Sequence, residues 1–523
     1  MDAWPTDGYI IKNAADTFAP PADLQRSFPL TGFGAKPNSP APLRSASAAV
    51  FDLTRGLILR PGFCTLSLMN VNLRYALAGL IALGTVLSAQ AYDVCVVGGG
   101  VAGIAAALQA GRAGAKTLLI EQGFQVGGNM TTGGVSWPGL FHAWGRQVID
   151  GCGWELVTNC VALAGGTLPD FSVDPGINHW KHQVRINIPL FVALAEEALT
   201  AAGVEIRYHT APSAAVRTNG VWRMALDATG ERQQVCAKVL VDATGNGTLS
   251  ALCGGRRLRD PEACQPGAYT YLVNPHARTS DLDIKALDAA RRQAVADGRL
   301  EKTDIVRGMW FFIHESNAML NDFPDGPDHG TTIANYVDGA DNSTSALRTR
   351  TNMRGRASML RVYRFLRSQP GLEKSSLVWA SPEVGVRETW RVEGDVVLTG
   401  EDYVAGRTFD DAVCYSFYPI DLHTTAGGVM PRHQARGTFP TIPLRALIVK
   451  GAENLLVAGR CISTDRPANS AVRVQATCMA TGQVAGEAAA LAAKLGCEVR
   501  KIPLARLRDQ LRTSGAIVPD AAK

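Results

Sequence analysis

The feature that most constrains this chain is a glycine-rich turn between an apolar strand and an alanine-rich helix. The segment 92–100, YDVCVVGGG, predicts a buried parallel strand, and VAGIAAALQAGRAG predicts the helix that follows it. In the spacing Gly98-x-Gly100-x-x-Gly103, the first glycine permits a tight turn and the second lets the backbone approach a pyrophosphate. The third allows the helix to pack closely on the strand. The arrangement predicts that a dinucleotide binds here; a glycine turn without a ligand is the alternative.

The residues around this turn also suit a dinucleotide. Free N–H groups at the helix start, including those of Val101 and Ala102, favour a phosphate there. The stretch AKTLLIEQ predicts a second buried strand, which completes a βαβ unit of about thirty residues. Glu121 ends that strand, where a carboxylate can accept hydrogen bonds from ribose hydroxyls.

Three further stretches resemble parts of two-dinucleotide-binding-domain flavoproteins. GFQVGGNMTTGG (123–134) resembles the loop behind their ribose-binding acid, and VLVDATGNGTLS (239–250) resembles their second fingerprint. The segment 454–496 resembles their C-terminal flavin segment. The order and spacing are similar to those of an FAD-dependent oxidoreductase family that is distantly similar to the flavoprotein component of heterodisulfide reductase and to fumarate reductase flavoproteins.

The resemblance implies a non-covalently bound FAD and a set of contacts to it. A strand and a Gly-Arg pair would pass the ribityl chain, and Gly482-Gln483 would lie near the isoalloxazine ring at a helix start. The residues implied in this way are Gly127, Gly128, Thr244, Gly245, Gly459, Arg460, Gly482 and Gln483. No second Gly-x-Gly-x-x-Gly motif follows a strand, so the sequence predicts no built-in NAD(P)H domain.

The rhythm of the chain and this resemblance together predict an α/β fold. A split Rossmann-type FAD-binding domain would contain an inserted α+β substrate or cap domain, because the α/β pattern stops near 256 and returns near 454. The expected divisions are a disordered or wrongly assigned extension 1–68, a signal-peptide-like segment 69–91, FAD-binding parts 92–255 and 441–497, the cap domain 256–440 and a C-terminal helix and tail 498–523.

The segment before the first strand has the three parts of a secretory signal. A polar start at Met69 precedes an apolar run of 13 residues, 75–87, and a small-x-small pattern ends at Ala91. We expect translation from Met69, cleavage after Ala91, and export to the periplasm or the extracellular space. The alternatives are an uncleaved anchor at 75–87, which would add a membrane partner, or a buried helix in a cytoplasmic protein.

Charge and cysteine spacing exclude several kinds of partner. The net charge of +5 is small and the basic residues are scattered, so we expect no nucleic acid. The eleven cysteines form no CxxC pair and no close cluster, which does not support an iron–sulfur cluster or a metal site. In an exported protein, Cys152–Cys160 or Cys253–Cys264 are candidates for a disulfide.

The candidate catalytic residues lie in the inserted stretch and beside the flavin segment. Hydride exchange at a C–H next to an oxygen needs an anion-binding arginine and a proton-transferring histidine. By resemblance to fumarate reductase-like enzymes, the first choices are Arg387, Arg473 and His423, which follows Tyr418 and Asp421. Alternatively, Arg387 forms an ion pair at an interface, His423 is a core histidine and Arg473 binds the flavin pyrophosphate.

The sequence therefore predicts an enzyme that transfers a hydride between a small organic substrate and FAD. Substrate oxidation is favoured over reduction because no donor-binding module is visible, and the electron acceptor is unknown. His142, in GLFHAWGRQ, is a weaker candidate for the site. The alternatives are a flavin-binding protein that is non-catalytic or carries electrons, and an NAD-dependent dehydrogenase that uses the same turn.

Overall fold

The computed structural model describes residues 90–520 except 175–178, 261–263, 278–281, 305–330 and 425–428. The predicted extension 1–68, and the signal-like segment 69–91 up to residue 89, lie outside the described residues. In the part of the chain that is described, no helix is both long and apolar enough to cross a bilayer.

The strands are numbered β1 to β18 and the α-helices α1 to α10 in chain order. The strands are β1 Gln90–Val97, β2 Thr117–Ile120, β3 His142–Ala143, β4 Arg146–Gln147, β5 Glu205–Arg207, β6 Thr210–Thr218, β7 Val221–Ala228, β8 Glu231–Asp242, β9 Arg257–Leu258, β10 Gly267–Asn274, β11 Thr331–Val337, β12 Ser376–Ala380, β13 Arg391–Val392, β14 Ala412–Tyr415, β15 Ile420–His423, β16 Val429–Arg432, β17 Thr441–Pro443 and β18 Leu455–Val457. The helices are α1 Val101–Arg112, α2 Cys152–Leu163, α3 Ile188–Ala201, α4 Thr248–Leu252, α5 Ile284–Ala296, α6 Ser345–Arg367, α7 Gly400–Ala405, α8 Arg466–Val472, α9 Gln475–Leu495 and α10 Leu504–Thr513.

A mixed sheet of parallel and antiparallel strands forms the centre of the fold. Its order is β5-β2-β1-β8-β7-β6, and β18 pairs with the C-terminal end of β8. Strands β5, β2, β1, β8 and β18 run parallel, whereas β6 and β7 form an antiparallel extension. Strands from both ends of the described chain therefore share one sheet, and the predicted mixed α/β class is confirmed.

One hairpin turns at Asn219-Gly220, a dipeptide that favours such a turn. β6 and β7 pair from Thr218 opposite Val221, with Asn219 and Gly220 between them. Both turn residues have positive φ, 52° and 78°. Asn and Gly tolerate this left-handed conformation, which a two-residue hairpin of type I′ requires.

Helix α9 covers α1 at glycine positions. A Cβ on Gly482 would lie 2.2 Å from the carbonyl oxygen of Ala102, and one on Gly486 would lie 2.1 Å from that of Ala106. The two helix backbones therefore touch without intervening side chains. The small Ala and Gly side chains of α9 allow this close contact.

A second apolar core lies within the inserted stretch. It is formed by β10 and β11 with helices α5 and α6, and includes Tyr271, Ile333 and Phe365. β11 and β12 flank β10 in a separate antiparallel sheet. The predicted boundaries at 256 and 440 stay a prediction, because residues between Val392 and Val449 also belong to the larger core.

The two disulfide candidates are wrong. Every described cysteine is free, including Cys152, Cys160, Cys253 and Cys264. Cys152 and Cys160 both lie on α2, eight residues apart, which separates them by about 12 Å along the helix axis. A disulfide requires Cα atoms within about 7 Å.

Candidate active site

The glycine turn between β1 and α1 has three different steric environments. Gly98 has φ +103°, and a Cβ there would lie 2.5 Å from the carbonyl oxygen of Ala243. A Cβ on Gly103 would lie 1.8 Å from the carbonyl oxygen of Gly98. At Gly100, by contrast, a Cβ would meet nothing within 4 Å. The packing of the protein itself therefore requires glycine at positions 98 and 103, whereas Gly100 faces open space at the start of α1.

The loop that contains Gly127 and Gly128 lies against this open space. The Gly127 N–H donates to the carbonyl oxygen of Gly99 at 2.7 Å. A Cβ on Gly128 would lie 3.1 Å from the Cα of Gly100, and both loop glycines have positive φ. The loop and the turn thus bring backbone rather than side chains to the start of α1.

Glu121 lies at the end of β2, beside the same turn. Its carboxylate accepts hydrogen bonds from the N–H groups of Gly99 and Gly123, both at 2.6 Å. Burial raises the pKa of Glu121, and these two hydrogen bonds oppose the rise. The carboxylate is thereby fixed against the turn, where the sequence predicts a ribose contact.

The second fingerprint closes around a buried carboxylate. Asp242, which is fully buried, accepts from the N–H and hydroxyl groups of Thr244 and of Ser250. The Thr244 oxygen in turn accepts from the N–H of Thr248 at the start of α4. The Thr244 side chain therefore fixes the turn beside Gly98, and only the backbone of Thr244 and Gly245 is left for a cofactor.

Arg460 joins three of these segments. Its Nε donates to the carbonyl oxygen of Gly245 at 3.0 Å, and its Nη2 donates to Oδ1 of Asn246 at 3.1 Å. Nη1 donates to the carbonyl oxygen of Val386 at 2.5 Å. The neighbouring Gly459 packs against α1, because a Cβ there would lie 2.7 Å from that of Ala102. Arg460 thus connects the second fingerprint to the inserted stretch.

The prediction for Gly482 and Gln483 is wrong in its placement. Helix α9 begins at Gln475, so Gly482 lies in its interior, against Ala102. The side-chain nitrogen of Gln483 donates to Gln109 at 2.9 Å, inside the joint between α9 and α1. Gly and Gln at these positions serve helix packing, and the helix start belongs to Gln475.

The three predicted catalytic residues come together, and Tyr336 joins them. His423 Nε2 lies 2.8 Å from Oδ2 of Asp421, and its Nδ1 lies 2.7 Å from the hydroxyl of Tyr336. Arg473 Nη2 donates to the same Asp421 oxygen at 3.2 Å. The guanidinium carbon of Arg387 lies 5.1 Å from the centre of the Tyr336 ring. These five residues are referred to below as the Tyr–His–Asp cluster.

The charges of this cluster act on one another. Burial alone would raise the pKa of Asp421, but hydrogen bonding from His423 and the charge of Arg473 lower it to about 2. Burial lowers the pKa of His423, against the effect of the Asp421 hydrogen bond. Burial raises the pKa of the Tyr336 hydroxyl. Near neutral pH the cluster therefore holds an ionised Asp421, a neutral His423 and a neutral Tyr336.

Val386 connects this cluster to the predicted cofactor loops. Its carbonyl oxygen accepts from the side-chain amide of Asn129 at 2.6 Å as well as from Arg460. Asn129 belongs to the Gly127–Gly128 loop, and Arg387 directly follows Val386. The other candidate, His142, stacks on Phe171 with ring centres 3.8 Å apart and takes no part in the cluster.

A family model for FAD dependent oxidoreductases matches residues 93–511. The chain belongs to this FAD-dependent oxidoreductase family. The distant similarity to heterodisulfide reductase and to fumarate reductase flavoproteins stays a prediction. No curated protein matches the chain.

Several solved structures are similar to this FAD-dependent oxidoreductase at low sequence identity. A geranylgeranyl bacteriochlorophyll reductase-like protein from Thermoplasma acidophilum is 12% identical, with 82% of this chain and 84% of that chain covered and a TM-score of 0.39. The p-nitrophenol 4-monooxygenase from Pseudomonas putida DLL-E4 is 12% identical, with coverage of 81% and 87% and a TM-score of 0.38. A flavin-dependent brominase is 14% identical, with coverage of 80% and 83% and a TM-score of 0.40.

The residues present fit FAD. Open space at Gly100, the backbone of Gly127 and Gly128, and the fixed carboxylate of Glu121 suit a pyrophosphate with its ribose. Arg460, which is partly buried, provides a cation in the same group of segments. Within residues 90–520, less the gaps given above, no three His, Cys, Asp or Glu side chains come together as a possible metal site.

Proposed function

We propose that this FAD-dependent oxidoreductase oxidises a small organic substrate at a carbon that carries a hydroxyl group. The substrate's C–H hydrogen leaves as a hydride, its O–H hydrogen leaves as a proton, and the C–O bond becomes a carbonyl. FAD, which Gly100, Gly127, Gly128 and Glu121 would hold, would supply the acceptor for that hydride. An external oxidant such as oxygen, a quinone or a small carrier would be the final electron acceptor.

The observation that supports this proposal is the Tyr–His–Asp cluster and its position. Tyr336 and His423 are 87 residues apart in sequence, yet their side chains are joined by a hydrogen bond. Through Val386, the cluster lies beside the loops that suit FAD. A substrate between the two would have its hydroxyl near the cluster and its C–H near the cofactor.

The hydrogen bonds of the cluster define the route of the proton. Asp421 is ionised, so it accepts from His423 Nε2–H and leaves Nδ1 as the unprotonated nitrogen. Tyr336 therefore donates its hydroxyl hydrogen to Nδ1. As the Tyr336 oxygen accepts the substrate proton, its own proton moves to Nδ1, and Asp421 stabilises the imidazolium that forms.

This geometry changes the role that the sequence predicts for His423. An imidazole has two nitrogens, and both are already hydrogen bonded, so His423 relays a proton rather than contacting the substrate. The group with a free acceptor position is Tyr336. It lies on β11, where no sequence pattern marks it.

Anaerobic mixing with candidate substrates tests the proposal. The FAD-loaded protein is mixed with a panel of sugars, hydroxy acids and amines while the visible absorption band of oxidised flavin is followed. Loss of that band on the time scale of turnover supports oxidation. If no compound bleaches the flavin, while a chemical donor reduces it and a protein partner reoxidises it, the protein is an electron carrier and the proposal is wrong.

We also propose that the protein is exported, on the evidence of the segment 69–91. Cleavage after Ala91 would remove Gln90 and Ala91 from β1, where they pair with Val235 and Cys236. We therefore place the cleavage before Gln90. N-terminal sequencing of the native protein tests this: a start at Gln90 or just before it agrees, and peptides from 1–68 contradict it.

A further inference from the structure

Arg387 is a largely buried cation with few partners. Its Nη1 donates to the carbonyl oxygen of Pro266, and its guanidinium lies over the ring of Tyr336. Among the residues that the structure describes, no carboxylate forms an ion pair with Arg387. Burial, and then repulsion from Arg473, lower the pKa of Arg387 to about 10.

Arg460 provides an internal comparison. It is also partly buried, and no described carboxylate pairs with it, but all three of its guanidinium nitrogens donate to backbone or amide oxygens. Arg387 has one such acceptor in the described part of the chain. Burying a cation costs free energy unless hydrogen bonds or an opposite charge compensate. All three guanidinium nitrogens of Arg460 donate within the protein, whereas Nε and Nη2 of Arg387 have no acceptor among the described residues.

The charges around Arg387 do not balance. Arg387 and Arg473 contribute two positive charges, and Asp421 contributes one negative charge. The neighbouring Arg466 is paired with Glu388 at 2.8 Å. His423 and Tyr336 are neutral near pH 7. One carboxylate bound at Arg387 would offset this excess positive charge.

We infer that Arg387 binds the carboxylate of the substrate, so that the substrate is an organic hydroxy acid. The planar guanidinium matches a carboxylate with two parallel hydrogen bonds. Because Arg387 lies over Tyr336, a carboxylate there holds a hydroxyl group a few bonds away within reach of the Tyr336 oxygen. The inference rests on the proposed oxidation and adds the charge of the substrate to it.

The test titrates the FAD-loaded protein with malonate and with malonamide, which has similar shape and no charge. Binding is measured by calorimetry and by the change in the visible flavin spectrum. We expect malonate to bind and malonamide not to bind. In Arg387→Gln, malonate should bind roughly tenfold to hundredfold more weakly, the effect of losing a charged hydrogen-bonding partner.

Two further variants test whether a loss of malonate binding comes from misfolding or from the loss of any positive charge. Arg387→Lys keeps the charge without the fork, so it should fold and bind malonate with intermediate affinity. Arg432→Gln removes an exposed arginine that pairs with Glu401, and it should bind malonate as the unaltered protein does. Equal binding of malonate to Arg387→Gln, or equal binding of malonamide to the unaltered protein, overturns the inference.

The two proposals fail in different ways. If a neutral alcohol bleaches the flavin equally in the unaltered protein and in Arg387→Gln, the oxidation stands and the hydroxy-acid inference is wrong. If malonate binds through Arg387 but lactate, malate and gluconate all leave the flavin oxidised, the anion site stands and the oxidation is wrong.

Discussion

Two polar side chains of this protein, Gln109 and Arg387, differ in how many of their hydrogen-bonding groups have a partner. In the joint between α1 and α9, the Gln109 side chain donates to Glu487 and Ser514 and accepts from Gln483. In the Tyr–His–Asp cluster, the partly buried Arg387 has one acceptor, and none of the described carboxylates forms an ion pair with it. The hydrogen-bonding groups of Gln109 all have partners, whereas two guanidinium nitrogens of Arg387 have none among the described residues. The first group connects two helices of the fold, and the second is the group that we propose binds a substrate.

The largest effect is expected at the joint. In Gly482→Val, the new Cβ would lie 2.2 Å from the Ala102 carbonyl oxygen, so the two helix backbones would have to shift apart. We expect the free energy of unfolding to fall by about 3 kcal/mol, the upper end of the usual cost of overpacking a core. Urea denaturation measures it. A variant that unfolds at the unaltered midpoint would show that the joint does not carry the fold.

Gly100→Val should leave the fold intact and remove FAD. Gly100 has φ −63° and ψ 173°, which valine adopts, and a Cβ there meets no protein atom within 4 Å. The side chain would instead fill the space of the pyrophosphate. The FAD content of the purified variant measures this, with circular dichroism as the check on folding. A yellow variant would contradict the placement of the cofactor.

His423→Ala and Tyr336→Phe should keep FAD and slow its reduction by the substrate. Each should cost roughly 100-fold, the usual scale for losing a positioned acid or base. Because the two act in one relay, the double variant should be no slower than the worse single variant. Tyr271→Phe, which removes a buried hydroxyl bonded to Asn335 in the adjacent strand, is the control. Stopped-flow absorbance measures the rates, and multiplicative losses would argue against a relay.

The rate of flavin reduction should depend on pH at two limits. The relay needs neutral His423, and burial lowers its pKa, so the rate should stay constant on acidification through 6.5 and fall only below that. It should also fall above about 10, where Arg387 loses its charge. The acid limit should be absent in His423→Ala and the alkaline limit absent in Arg387→Gln. A rate that already falls above 6.5 as the pH decreases would contradict a neutral relay.

The smallest effect is expected at Glu487. Burial raises its pKa, so its stabilising contribution is complete below its ordinary value of 4.5 and is lost as pH rises through the raised value. Glu487→Gln keeps an acceptor for Gln109 and should change the free energy of unfolding at neutral pH by less than about 1 kcal/mol. Glu498→Gln, at a partly exposed carboxylate that pairs with Lys501, is the control. Strong destabilisation by Glu487→Gln would mean that the ionised carboxylate supports the joint.

Local spacing predicts the glycine turn at Gly98, because a turn of this kind is encoded within a few residues, and the same holds for the hairpin at Asn219. The prediction that Gly482 lies at a helix start is wrong, because nothing in an alanine-rich sequence marks the residue at which the helix begins. Its glycines reflect the approach of α1, which is distant in sequence.

The catalytic end could be predicted only in part. Arginine and histidine are uncommon in buried segments, so Arg387, His423 and Arg473 attract attention by residue type alone. Tyr336 does not, because a tyrosine in the apolar strand TTIANYV is typical of a core. Its role depends on a hydrogen bond to a residue 87 positions away, which no local pattern encodes.

The joint between α1 and α9 also has a consequence for how the protein is made. Gln109 and Glu487 are 378 residues apart, so at ordinary rates of translation α9 leaves the ribosome roughly 20–75 s after α1. Throughout that interval, the apolar surface of α1 that α9 will cover is open to chaperones and to other nascent chains. β18 emerges shortly before α9. The cofactor-binding sheet is therefore among the last parts of the protein to be completed.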